Sequence, residues 1–166
     1  MKIIVISDTH KEGLVELPDK LIEAIKDSDM VIHAGDFVDL KVLEALKEIS
    51  KEVKAVCGNM DGEDIQKILP KKEIFKIGKY KIGIMHGSGA PNNLVSVLSE
   101  AFKNDNLDLV IFGHSHSAFN ERIGNTIFFN PGSPVDKIFA KYNSYGIIEI
   151  NGKIEANIVK LIEKND

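Results

Sequence analysis

Lys2-Ile3-Ile4-Val5-Ile6-Ser7-Asp8-Thr9-His10 opens the chain with a short β-branched run that stops at two side chains able to hold a metal ion. The same arrangement recurs four times. Met30-Val31-Ile32 passes through His33 to Gly35-Asp36, and Val53 to Cys57 runs into Gly58-Asn59. Ile82 to Met85 ends at His86-Gly87, and Leu109 to Phe112 ends at Gly113-His114-Ser115-His116. Runs this short and this rich in Ile and Val read as buried strands. In an α/β sheet, ligands sit just beyond the carboxyl ends of the strands. Four of the five histidines fall at such ends, with two aspartates and an asparagine.

Helical signals separate the first three runs. Pro18 suits a first helical position ahead of Leu21, Ile22 and Ile25. Asp39 is placed to cap a second helix, in which Leu43, Leu46 and Ile49 recur at helical spacing. Such β-α-β alternation predicts a parallel sheet with right-handed crossovers. Beyond it, Gly78-Lys79, Gly124-Asn125 and Asn151-Gly152 mark hairpin turns, and a helix is expected from about Asn92 to Lys103. Strands over 145–150 and 153–161 have no helix between them, and both read as fully buried. The fold class is α/β, with two packed mixed sheets flanked by helices and residues 1–166 forming one domain.

Composition narrows the setting. A hydrophobic content of 43%, a charged content of 28% and a net charge of −4 are ordinary for a globular protein. They give no strong nucleic-acid signal, and no basic stretch carries interleaved aromatics. Arg122 is the only arginine; it and the scattered lysines read as solvent-facing. Cys57, the lone cysteine, sits in an apolar run and reads as a buried thiol. No signal peptide or membrane-length segment is visible, so a cytoplasmic protein with no membrane partner is expected. Apolar strand edges leave a homo-oligomer open.

The donor types carry the chemistry. Asp8-x-His10 and His114-x-His116 each place two ligands two residues apart, on one side if the chain is extended. Asp36 follows Gly35, a small residue that lets backbone and ions approach, and a carboxylate can bridge two cations. Asn59 offers an amide oxygen and His86 an imidazole. A mixed N/O set without thiolate suits a transition-metal site and argues against structural zinc. Taken together, the five elements point to a two-metal hydrolytic site. His33 lies within its strand and reads as supporting rather than ligating, and Asp61 as either a partner of a ligand or a plain turn residue.

In the order Asp8-Thr9-His10, Gly35-Asp36, Gly58-Asn59, His86-Gly87 and Gly113-His114-Ser115-His116, the chain resembles the calcineurin-like metallophosphoesterases. The likeness extends to Asn130-Pro131-Gly132-Ser133 and is nearest to the small bacterial and archaeal phosphodiesterases without a cap domain. It implies a four-layer αββα sandwich and two divalent transition-metal ions. Mn²⁺ is the foremost choice, with Ni²⁺, Co²⁺, Fe²⁺ or Zn²⁺ as alternatives. One ion would be held by Asp8, His10, Asp36 and His116, the other by Asp36, Asn59, His86 and His114. Asp36, Asn59 and His86 would support catalysis with no separate general acid. The implied reaction is in-line attack of a metal-activated hydroxide on a small phosphodiester or nucleotide-like substrate. Alternatives are a phosphomonoesterase, a nucleotide pyrophosphatase, or a non-catalytic scaffold like the retromer subunit of this fold. One departure stands out: many relatives place a histidine after Gly-Asn, where this chain has Met60.

Overall fold

Alternation along the opening run sorts its side chains into two layers. In the computed structural model, which describes residues 1–10, 13, 17–136 and 138–163, that run forms β1 (Lys2–Ile6). Ile3 and Val5 join one apolar cluster while Ile4 and Ile6 join another, and all four are fully buried. A strand covered on both faces belongs at the centre of a parallel α/β sheet. The first units follow as α1 (Asp19–Lys26), β2 (Met30–His33), α2 (Leu40–Ile49) and β3 (Val53–Ala55). Strands β1 and β2 pair in parallel with Ile3 opposite Met30, and β2 pairs in parallel with β3. Helices α1 and α2 lay Leu21, Ile25, Leu43 and Leu46 against Ile4, Ile6 and Val31. The Asp39 carboxylate accepts from Lys41 N at 2.8 Å and caps α2 as expected. Pro18 stands at the cap of α1, one residue ahead of the expected first helical position.

The second sheet begins after α3 (Glu63–Ile68), a helix the apolar pattern did not reveal. It has six residues and buries only Ile65, too little for a periodic stripe. Strands β4 (Lys72–Ile77) and β5 (Tyr80–Met85) form the hairpin on Gly78-Lys79. A short 3₁₀ turn (Pro91–Asn93) leads into α4 (Leu94–Ala101), which ends before Lys103. Then come β6 (Leu109–Ile111) and the hairpin of β7 (Phe119–Ile123) and β8 (Thr126–Asn130). The chain returns to the first sheet as β9 (Tyr142–Ile150) and β10 (Ile154–Glu163). The orders are β10-β9-β1-β2-β3 and β4-β5-β6-β8-β7. Strand β10 departs from the fully buried reading: it is an edge strand with β9 as its sole neighbour, and its side chains from 154 to 157 alternate between half-buried and exposed. No helix among the described residues is long and apolar enough to cross a membrane.

Between the sheets lie Ile3, Val5, Ile32, Ile82, Ile84, Leu109, Ile111, Phe129 and Ile148, and α4 packs Leu94, Leu98 and Phe102 on the outer face of β6 and β8. Helix, sheet, sheet and helix make the four layers. At Gly146 on β9 the two sheets approach closely: a Cβ there would lie 2.3 Å from Phe129 Cε1 and 3.2 Å from Val5 Cβ. Overpacking an interior costs roughly 1–3 kcal/mol. Gly146→Ala is therefore expected to lower the melting temperature by roughly 2–12 °C for a chain of this size, measured by calorimetry.

Candidate metal centre

All five parallel strand ends that carry ligand-type residues open at one edge of the sandwich. The loops that follow them turn sharply. Asp8, His10, Asp36, Val38, His114 and His116 all have positive φ, and only Asn106 shares that trait elsewhere among the described non-glycine residues. Backbone strain of this kind is retained where the surroundings hold it and concentrates at functional sites. Gly35 (φ 96°) allows a close approach, since a Cβ there would lie 2.8 Å from His86 Nδ1 and 2.9 Å from Gly58 N.

Two groups of donors result, one of Asp8, His10 and His116 and the other of Asp8, Asp36 and His86. In the first, His116 Nε2 is 3.4 Å from Asp8 Oδ1 and 3.2 Å from His10 Nε2. In the second, His86 Nε2 is 3.2 Å from Asp36 Oδ2 and 3.8 Å from Asp8 Oδ1. His10 Nε2 is also 3.7 Å from Asp36 Oδ2, so Asp36 faces both groups. His114 and Asn59 stand together, with Nδ1 and Oδ1 2.9 Å apart. His114 and His116 thus separate, contrary to the same-side reading of an i, i+2 pair. With both residues at positive φ the chain there is not extended.

Hydrogen bonding shows what the centre is made to hold. His86 Nδ1 lies 2.7 Å from Ala34 O and must donate its proton there, which leaves a lone pair on Nε2. That buried Nε2 has no hydrogen-bond partner although a carboxylate oxygen is 3.2 Å away. In the neutral ring two acceptors face each other across that gap, a repulsion that a proton on Nε2 or a metal cation between them relieves. His114 repeats the pattern: Nε2 donates to Gly89 O at 2.9 Å, turning the Nδ1 lone pair to the Asn59 amide. Electrostatics agree. Burial pushes the Asp8 carboxyl up, more than His86 and His116 pull it down. Burial pulls His86 down, but Asp36 and Asp8 outweigh it and raise its affinity for a proton. Burial likewise pushes Asp36 up, and there His86 and the Met60 N–H win, holding it below the usual range. A cluster in which an acid and an imidazole both gain proton affinity is short of positive charge. The residues present fit divalent cations.

The supporting residues hold these loops in place. Asp61 is buried and accepts from four backbone N–H groups: Asp36 at 3.1 Å, Phe37 at 2.6 Å, Val38 at 2.9 Å and Gly58 at 2.7 Å. It ties the loop of Asp36 to the loop of Asn59, so it is more than a local turn residue. His33 is fully buried, accepts from Gly35 N at 3.1 Å, and so donates Nε2–H to Thr9 Oγ1 at 3.1 Å. Burial holds its imidazole well below the usual range, so it stays neutral and stacks on Phe37. Ser133 Oγ donates to Asp8 O at 2.8 Å, which brings the Asn130–Ser133 turn under the centre. Cys57 is buried, as read from its run.

One residue escaped the sequence reading. Asp136 pairs one carboxylate oxygen closely with His116 Nδ1 and uses the other to accept from Ile138, Phe139 and Ala140 N at 2.5, 2.8 and 3.4 Å. Burial pushes its carboxyl up, but His116 and these N–H groups outweigh burial and hold it well below the carboxylate range. The available signal was Ser133, three residues earlier, whose hydroxyl takes Asp136 N in a local turn.

Known proteins share this architecture. A probable metallophosphoesterase of Methanocaldococcus jannaschii is 36% identical over 166 residues, covering 98% of this chain and 83% of the relative. The structure of an archaeal phosphodiesterase superposes with a TM-score of 0.79 at 31% identity, over 97% of this chain and all of that one. A Vps29 from Entamoeba histolytica shares the fold, with a TM-score of 0.75 at 23% identity over 98% of this chain and 100% of its own. Residues 1–153 match the family described as the calcineurin-like phosphoesterase superfamily domain. That span contains every loop of the centre, and the chain belongs to the calcineurin-like phosphoesterase superfamily, a family of metal-dependent phosphoesterases.

Proposed function

We propose that this chain, acting as one domain, is a phosphodiesterase that hydrolyses small phosphodiester or nucleotide-like substrates with two divalent cations. Asp8, His10, Asp36 and His116 would hold one, and Asp36, Asn59, His86 and His114 the other. The observation that carries this reading is the buried, unpartnered Nε2 of His86, fixed as a lone pair by Ala34 O and aimed at Asp36. When bound, two such cations make a water acidic enough to ionise near neutral pH and neutralise phosphoryl charge. A donor set of imidazole, carboxylate and amide suits Mn²⁺, Ni²⁺, Co²⁺, Fe²⁺ or Zn²⁺ alike, and Mn²⁺ is taken first from the family resemblance. The chain's own part is orientation. Ala34 O sets the His86 ring, Asp136 sets His116, and Asp61 sets the backbone that presents Asp36. For in-line displacement the leaving oxygen departs without a proton from position 60, because Met60 carries a thioether there and its N–H is engaged by Asp36 Oδ1 at 2.8 Å. The scaffold alternative draws on shared fold, whereas the full ligand set is present here.

Hydrolysis of aryl phosphodiesters with graded leaving groups tests this reading. Chelator-stripped protein is expected to be inactive, and Mn²⁺ to restore turnover of bis-p-nitrophenyl phosphate, with Ni²⁺, Co²⁺, Fe²⁺ and Zn²⁺ compared in parallel. Rates should fall steeply as the leaving group becomes more basic, and Met60→His should flatten that dependence by roughly 10²-fold at the basic end. No activity with any of these cations, in folded protein, would remove the phosphodiesterase reading. Equal rates across the leaving groups would remove the role given to position 60.

A further inference from the structure

Ile138 and Phe139 are 80% and 73% exposed, the two most exposed large apolar side chains among the described residues. They are not scattered surface residues. With Val135 they line a cavity of about 320 Å³ whose remaining walls are Asp8, His10, His116 and Asp136. The apolar wall and one ligand group of the metal centre therefore share one space. The Phe139 ring meets the His116 ring edge to face, with centroids 5.6 Å apart and planes at 84°. Asp136 makes the arrangement stiff, since the same carboxylate orients His116 and takes the N–H groups of Ile138 and Phe139. A flat group seated against Phe139 is thereby placed at a fixed offset from the cation ligands.

The opposite side of the centre is built differently. There a cavity of about 420 Å³ is lined by Asn59, Gln66, Lys71, His86 and Ser88, among others, and has no aromatic wall. A phosphodiester has two substituents, and each would meet a different surface. We infer that Val135, Ile138 and Phe139 form a subsite for a flat aromatic ring, so that the substrate is an unsymmetrical diester carrying an aryl group or nucleobase on that side. This rests on the phosphodiesterase reading and adds the substrate class. An aromatic wall beside a polar anchor is the usual make-up of a small-molecule pocket, in which few polar groups fix orientation and apolar contact adds affinity.

Binding to Zn²⁺-loaded protein, measured by titration calorimetry, tests the subsite without turnover. Phenylphosphonate is expected to bind about tenfold more tightly than methylphosphonate, and adenosine 5′-phosphate more tightly than ribose 5-phosphate if the ring is a nucleobase. Phe139→Ala should bring the affected ratio to roughly one, while Ile123→Ser, an exposed apolar change on β7, should leave it. A ratio near one in both pairs for the unaltered protein overturns the subsite while phosphonate binding still upholds the phosphoester site. Failure of all four probes to bind removes both. Sedimentation of the same proteins covers a rival occupant: a dimer lost in Phe139→Ala, with no ring preference, assigns the face to a second copy of the chain and overturns the proposal.

Discussion

Asp36→Asn is expected to lower Mn²⁺-dependent hydrolysis of bis-p-nitrophenyl phosphate by roughly a thousandfold without unfolding the protein. Asp36 Oδ2 faces His86 Nε2 at 3.2 Å and His10 Nε2 at 3.7 Å, so this carboxylate of the second donor group also faces a histidine of the first. Its other oxygen accepts from Met60 N at 2.8 Å. Asparagine keeps one acceptor for that N–H and removes the charge. A unit charge within about 4 Å of a cation, at an effective dielectric near 20, is worth about 4 kcal/mol. That corresponds to about three orders of magnitude in rate. The measurement is kcat/KM at saturating cation, with a melting curve beside it. Activity within tenfold of the unaltered enzyme would take Asp36 out of the shared position.

Asp61→Ala should have the largest effect on stability. Its carboxylate serves four backbone donors from two loops, and alanine leaves them buried without an acceptor. Each such group costs about 1–3 kcal/mol, less where water enters, so a total of about 4 kcal/mol is expected. The melting temperature should fall by roughly 8–16 °C. Val38 adds to the loss, because this β-branched residue sits at φ 75° and Asp61 takes its N–H. Cation affinity should drop by roughly 10–100-fold as the loops of Asp36 and Asn59 separate. Asp61→Asn should fall between, since its amide nitrogen would oppose N–H groups that the second oxygen now takes. A melting shift under about 2 °C for the alanine variant would contradict the clamp.

The strands of the centre were legible because their composition is extreme. Ile3-Ile4-Val5-Ile6 and Leu109-Val110-Ile111 have no soluble face to offer, and a polar ligand after such a run can only lie at its end. The hairpins were legible from Gly78-Lys79, Gly124-Asn125 and Asn151-Gly152. Helix α3 was not, because one buried isoleucine makes no period. The grouping of the histidines was also hidden: spacing presumes extended backbone, and His114 and His116 lie at positive φ. Asp61 could be noticed but not placed, since its four partners come from residues 36–38 and 58 and are joined only by the fold. Asp136 belongs to no ligand pattern at all, and its role appears only when the turn after it is folded beneath His116.

Strand β1 lies between β2 and β9, with Val5 opposite Ile32 on one side and Gly146 on the other. Its second neighbour is therefore made long after it. At ribosomal speeds the interval between emergence of Asp8 and completion of β9 is on the order of ten seconds. Throughout it, the strand that delivers the first two ligands has an open edge of unpaired N–H and C=O groups. A nascent chain halted after Asp136 would already carry all seven proposed ligand residues and still lack the partner that closes the sheet beneath two of them. The proposed cation site therefore has its full support only once β9 has paired with β1.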